Sequence, residues 1–157
     1  MEINKALIIL EGPSQSGKTT SIRHLAVLLQ QQYGSQTYKS KKWKECLEVH
    51  TVGNSVIGLT SRSDKFPVFL ENIEFLKEEK NCNLIVCALN IKTKGAKEYI
   101  SSLKNNNWKI DILHKYPDFC NRVQKDLQPI LNSRASIYLL EKINQNISIE
   151  NFQNFGL

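Results

Sequence analysis

No apolar run in this chain approaches the length of about eighteen residues that a bilayer-spanning helix requires; the first, Ala6-Leu7-Ile8-Ile9-Leu10, is the length of a strand. The N-terminus lacks a basic segment followed by an apolar stretch and a small-residue cleavage site, which sets the expectation of a cytoplasmic protein with no membrane partner. Cysteine is scarce and unpatterned. Cys46, Cys82, Cys87 and Cys120 form no CxxC and have no histidine at zinc-like spacing, so neither a zinc ribbon nor a disulfide scaffold is indicated, and reduced, mostly buried thiols are expected. Arginine is limited to Arg23, Arg62, Arg122 and Arg134, too few for an arginine-rich lid. The low-apolar, high-charge composition of disorder is missing too, with 41% hydrophobic and 23% charged residues. A chain of 157 residues is then expected to form a single domain spanning 1–157, with residues from about 144 to 157 as a polar tail carrying Phe152 and Phe155.

What is there is basic. Lys and Arg number 21 against 15 Asp and Glu, a net charge of +6. Part of it is concentrated in Lys39, Lys41, Lys42 and Lys44 around Trp43, a segment able to attract nucleic acid, a protein partner or a phosphorylated ligand, or simply to be a solvated loop.

The strongest signal is Gly12-Pro13-Ser14-Gln15-Ser16-Gly17-Lys18-Thr19, a complete G-x-x-x-x-G-K-[ST]. Its flanks fit it. Before it, residues 6–10 read as a parallel strand covered on both faces. After it, Ile22, Leu25, Ala26 and Leu29 recur at i, i+3, i+4 and i+7, the apolar stripe of a helix that Gly34 caps at its end. Glycines at both ends let the backbone approach phosphate closely, and loop N–H groups with the helix N-terminus converge on the anion. Lys18 would reach the β- and γ-phosphates, and the Thr19 hydroxyl would ligate Mg²⁺; Thr20 completes the phosphate-binding set. Over its first 32 or so residues the chain resembles the P-loop NTPases.

Further along, Leu47-Glu48-Val49-His50-Thr51-Val52, a Gly53-Asn54 turn and Ser55-Val56-Ile57-Gly58-Leu59-Thr60 read as an antiparallel hairpin, its second strand expected beside the P-loop strand. Pro67 opens a helix with Phe69, Ile73 and Leu76 inward. Residues 83–90 form another apolar strand. Ala96, Tyr99, Ile100 and Leu103 mark a helix, Ile110, Ile112 and Leu113 a last strand, and Ile137, Leu140 and Ile143 a final helix, which Pro129 should kink or restart. The expected fold is therefore α/β: a three-layer P-loop NTPase fold, its mostly parallel sheet of about five strands including one antiparallel hairpin strand, with helices on both faces.

This order of elements is similar to that of the small GTPases, in which an antiparallel strand pairs with the strand leading to the magnesium-site acid. Their motifs are not matched: Ser61-Arg62-Ser63-Asp64 stands where they have Asp-x-x-Gly, and His114-Lys115-Tyr116-Pro117-Asp118 does not fit Asn-Lys-x-Asp. Guanine recognition is unsupported, so ATP is favoured over GTP. The acid near Mg²⁺ is assigned to Asp64, which equally suits the start of the next helix; the strand ending at Asn90 offers no acid. Lys18, Asp64 and Arg62 are the candidate catalytic residues, and Thr19 and Asp64 the candidate metal ligands. Arg62 or Lys94 would steady transition-state charge, Thr93 would position a water or cap a helix, and His114 and Tyr116 would meet a base or pack; His24 and His50 carry no signal, and Trp108 reads as core or rim.

Three functions follow: a Mg²⁺-dependent nucleoside-triphosphate-binding NTPase, a small nucleotide or metabolite kinase, or a non-enzymatic nucleotide-binding module that contacts nucleic acid or protein through segment 39–44.

Overall fold

The computed structural model describes residues 4–13, 17–41, 46–61, 65–115 and 123–147, with the backbone alone at 123–128 and 131. Its element order is β1 (Ala6–Glu11), α1 (Lys18–Tyr33), β2 (Gln36–Lys39), β3 (Leu47–Val52), β4 (Ser55–Thr60), α2 (Phe66–Glu74) continued by a π-helical turn (Phe75–Glu79), β5 (Leu84–Leu89), α3 (Ala96–Asn105), β6 (Lys109–His114) and α4 (Val123–Asn146). All six strands join one mixed sheet in the order β2-β3-β4-β5-β1-β6, an α/β architecture.

The two strands with unbroken burial, β1 and β5, pair in parallel in the interior of the sheet. That placement corrects the expectation that the hairpin's second strand lies against β1: β4 pairs in parallel with β5, and β5 separates it from β1. The reason is burial. Strands 6–11 and 84–89 are continuously apolar up to their ends and gain most from being covered on both faces, whereas β4 begins at Ser55 and carries Gly58. The hairpin itself forms as read, with Val52 opposite Ser55 and Gly53 at φ 59° opening the two-residue turn. The sheet also has six strands rather than about five. The added strand, β2, pairs antiparallel with β3, so β3 alone runs against the others.

Alternation along β1 divides two cores. Ala6, Ile8 and Leu10 face Leu25 and Leu29 of α1 and Leu139 and Ile143 of α4. Leu7 and Ile9 face Phe69, Ile73 and Leu76 on α2 and its π-helical extension, and Ile100 and Leu103 of α3. One crossover hand accounts for this. The connection leaving β1 toward β2–β4 places α1 on one face, and the connections returning to β5 and on to β6 place α2 and α3 on the other.

The last helix continues through Pro129, so of the two expected outcomes it does not restart there. Its buried stripe is Ala135, Leu139, Ile143 and Ile147, which differs from the sequence reading in leaving Ile137 51% exposed. Ile147 is buried beyond the helix end, so packing extends past residue 144; residues 148–157, with Phe152 and Phe155, lie outside the described residues. Trp108 is buried in the α2–α3 core, as are Cys82 and Cys87, while Cys46 packs in the other; all three thiols are free, and Cys120 lies outside the described residues. Among the described residues no helix is long and apolar enough to cross a membrane.

Gly58 is where the sheet tolerates least. An added Cβ would lie 3.0 Å from Cys82 Sγ and from both Leu76 methyls, all in a packed core. Overpacking costs about 1–3 kcal/mol, partly offset by the entropy gained on replacing a strand glycine. Gly58→Ala is expected to lose about 1 kcal/mol in urea unfolding, with a Tm about 2–4 °C lower.

Candidate functional site

The carboxyl edge of β1 is where the chain turns into α1. Gly12 stays on the sheet, its N–H donating to the Leu89 carbonyl at 3.3 Å. Gly17, at φ 85° and ψ 18°, takes the left-handed conformation that a side chain resists and directs the backbone into the helix. Lys18 is the first helical residue, only 8% exposed, and its Nζ donates to the Gly12 and Pro13 carbonyl oxygens at 2.6 Å each. The ammonium is thus folded back across the loop. No acidic residue occupies the first turn of α1, so the positive end of the helix is not countered by its own sequence. Thr19 is half-buried and Thr20 exposed in that turn; Ser14, Gln15 and Ser16 lie outside the described residues.

A second ammonium meets this site from β6. The Lys115 N–H donates to the Glu11 carbonyl at 2.6 Å, extending the β1–β6 pairing by one residue, and the side chain is 7% exposed with Nζ donating to Asn132 Oδ1 of α4. Burial, and after it the charge of Lys18, lowers the Lys115 ammonium from its ordinary 10.5 to about 8. Two lysines far apart in sequence therefore sense each other's charge. Helix α4 locks the arrangement: Ser136 Oγ lies 2.8 Å from both the Ser21 and the Asn132 carbonyl oxygens, so its one proton serves both. Ser21 in turn bonds Gly17 through its N–H and its hydroxyl, each at 3.0 Å.

On the neighbouring position of the same edge, Glu11 and His114 stand opposite each other in the β1–β6 register, with Oε2 and Nδ1 2.7 Å apart. Glu11 is 7% exposed, while the His114 side chain is half open to solvent. The pair can hold or pass a proton directly beside Gly12.

The other sequence candidates divide. Lys94 is exposed and Thr93 half-buried in the loop after β5, the strand next to β1, so that loop opens at the same edge. Thr93 does not cap α3: the N-cap is Gly95, with no side-chain hydrogen bond. Arg62, Asp64 and Tyr116 lie outside the described residues, as do Lys42, Trp43 and Lys44. The strand leading toward Asp64 ends two positions from β1, about 9.6 Å across the sheet, so the adjacency on which the Asp64 assignment leaned is gone. Lys39 closes β2 and lies 3.8 Å from Glu48, partly neutralised. His24 is exposed, and His50 is fully buried beside Glu48.

Among the described residues no three or more His, Cys, Asp or Glu side chains group as a metal site. A Mg²⁺ carried with a phosphate ligand takes one or two protein oxygens and fills the rest from phosphate and water. The Thr19 hydroxyl, a hard oxygen donor in the first turn of α1, fits such a role.

No protein-family model matches the chain, and no match was found among curated proteins or solved structures. The site must be judged on its own chemistry.

Sequence reasoning passed over Glu11, Lys115, Asn132 and Ser136. A charged residue closing an apolar strand immediately before the glycine loop was the available sign for Glu11. For Lys115 the sequence carries none, because its role arises from the β1–β6 pairing and the α4 contact.

Proposed function

We propose that the chain is a nucleoside-triphosphate-binding protein of the P-loop kind, with ATP favoured over GTP, that breaks the β–γ phosphoanhydride bond. The observation that carries this reading is the buried Lys18 ammonium at a helix N-terminus that opens with a left-handed glycine and has no acid in its first turn, with the buried Lys115 ammonium near enough for their charges to interact. A compact polyanion is the ligand such a site favours most, since each phosphate oxygen relieves the repulsion between the lysines and accepts from loop N–H groups.

In this reading, triphosphate binding draws the Lys18 ammonium off the Gly12 and Pro13 carbonyls and onto phosphate. Lys115 supplies a second positive charge, held by Asn132. Thr19 would hold Mg²⁺, which neutralises phosphate charge when bound, with Asp64 the sequence's candidate second donor. Glu11, kept in place by His114, is the described carboxylate that directly precedes the loop and is suited to accept a proton from the attacking nucleophile. Water as nucleophile makes the protein a hydrolase; a hydroxyl or phosphate acceptor makes it a small kinase.

The test is a thermal-shift panel of ATP, GTP and their diphosphates with and without Mg²⁺, followed by phosphate release with no added acceptor. A ligand at 100 times its Kd adds about 2.7 kcal/mol of stability, a shift of several degrees. Stabilisation by triphosphate that Mg²⁺ enhances is the expected result. Indifference to every nucleotide removes the reading.

A further inference from the structure

Beside the phosphate loop the sheet is wider than the helices that cover it. On the α1 face, α1 and α4 cover the core strands, and among the described residues the outlying β2–β3 ladder meets the flank of α1. Between them runs a groove of about 580 Å³, within the range of small-molecule sites. One wall is a single stripe of α1, Arg23, Ala26, Val27 and Gln30 at i, i+3, i+4 and i+7; the other is β2 and the start of β3, with Lys39 and Glu48. Because β3 runs against β1 and β2 runs with it, Lys39 and Leu47 lie at the sheet's carboxyl edge, the edge of the Gly12 loop. Arg23 follows Lys18 by five residues, about 7.5 Å along the helix. The groove therefore opens on the same edge and the same face as the phosphate loop.

Its chemistry is graded. Toward that edge stand Arg23 and Lys39; farther in are the amides of Gln30 and Gln36, with the Ala26 and Val27 side chains as apolar wall. On the floor, opposite Lys39 in the β2–β3 register, is Glu48, 6% exposed, which lies 3.8 Å from Lys39 Nζ, accepts from Gln36 Nε2 at 2.9 Å and lies 3.3 Å from His50 Nε2. A carboxylate offers about four acceptor positions, so further donors can be bound there. Burying it in a sheet face costs more stability than an apolar residue would, which makes its placement in a groove wall a feature with a use. His50, fully buried behind it, has no hydrogen-bond partner for Nδ1 among the described residues.

From this gradient we infer that the groove binds a small phosphate monoester, its phosphate against Arg23 and Lys39 and its hydroxyl-bearing body against Glu48 and the glutamines. A guanidinium engages phosphate through paired N–H donors, and an inward carboxylate selects ligands that bring hydroxyl or N–H donors while disfavouring a bare anion. This deepens the nucleotide reading by giving the site a second ligand, and it rests on that reading only for the groove's place beside the loop.

The probes are ribose 5-phosphate, AMP and inorganic phosphate, titrated calorimetrically into the wild-type protein and into Arg23→Ala, Glu48→Gln and Lys18→Ala. Ribose 5-phosphate or AMP is expected to bind the wild type more tightly than inorganic phosphate does. Arg23→Ala should weaken both esters at least tenfold and leave ATP affinity unchanged. Glu48→Gln should weaken the esters without weakening inorganic phosphate; should that buried substitution prevent folding, the exposed Arg23 variant still decides. Lys18→Ala should retain ester binding, which separates this site from the phosphate loop. No ester binding to the wild type at millimolar concentration overturns the proposal. So does ester binding that survives Arg23→Ala, that disappears with Lys18→Ala, or that inorganic phosphate matches.

Discussion

Lys18→Ala is expected to abolish measurable triphosphate binding while leaving the protein folded. In the free protein the Lys18 ammonium is spent on two loop carbonyls, Gly12 and Pro13, and both can turn to water once it is gone. Its removal also relieves the repulsion that lowers Lys115, so the ligand-free Tm should change by no more than a few degrees. The bound state is different. A largely buried ammonium facing phosphate is worth about 2–5 kcal/mol when one partner is truncated, which is tens-fold to thousands-fold in Kd. Calorimetric titration of ATP with Mg²⁺ into both proteins, with circular dichroism as the folding control, measures both halves. Equal affinity in the two would mean that the loop does not grip phosphate.

The portion of this site read from sequence is the portion encoded locally. The apolar run 6–10 and the i, i+3, i+4, i+7 stripe of α1 are each visible within a few residues, and each formed where expected, with Gly17 at the helix start. The hairpin was legible for the same reason, Gly53-Asn54 between two alternating runs. Strand order was not legible, because periodicity states which face a strand buries and says nothing of its neighbour; β5 won the place beside β1 through burial that only the assembled sheet reveals. Strand β2 escaped notice because Gln-Thr-Tyr-Lys at a sheet edge has no apolar alternation to display. Pro129 did not restart the helix: one anchored by Leu139 and Ile143 in the core and by Ser136 on α1 can absorb one missing backbone bond near its start. Lys115 was the costliest omission. One lysine in a polar stretch reads as solvated until the β1–β6 ladder turns it inward onto Asn132.

That lysine should give the proposed nucleotide site a pH signature. With its ammonium lowered to about 8 in the free protein, Lys115 is only partly charged in mildly alkaline solution. Phosphate arriving beside it favours the charged form, so triphosphate binding should take up a proton between about pH 8 and 9.5, and affinity should fall as pH rises through that interval. Lys18 of α1 and Asn132 of α4 face it, and Glu11 and His114 stand at the adjacent strand ends. Stability of the ligand-free protein follows the opposite course. Because the folded value lies below the unfolded one, the unfolded chain binds more protons between about pH 8 and 10.5, and Lys115 therefore adds stability as pH climbs, its penalty being complete below 8. Cys46 and Cys82, thiols pushed up to about 12 mainly by burial, act against this above about pH 9 but are common to wild type and variant. Lys115→Met keeps an apolar stem and removes the titration. The variant should bind ATP about tenfold more weakly at pH 7, a loss of about 1.4 kcal/mol. Its binding enthalpy at pH 8.5 should be the same in buffers of different ionisation enthalpy, whereas the wild type's should differ. A wild-type enthalpy that is independent of buffer at that pH would place Lys115 outside the reach of the bound phosphates.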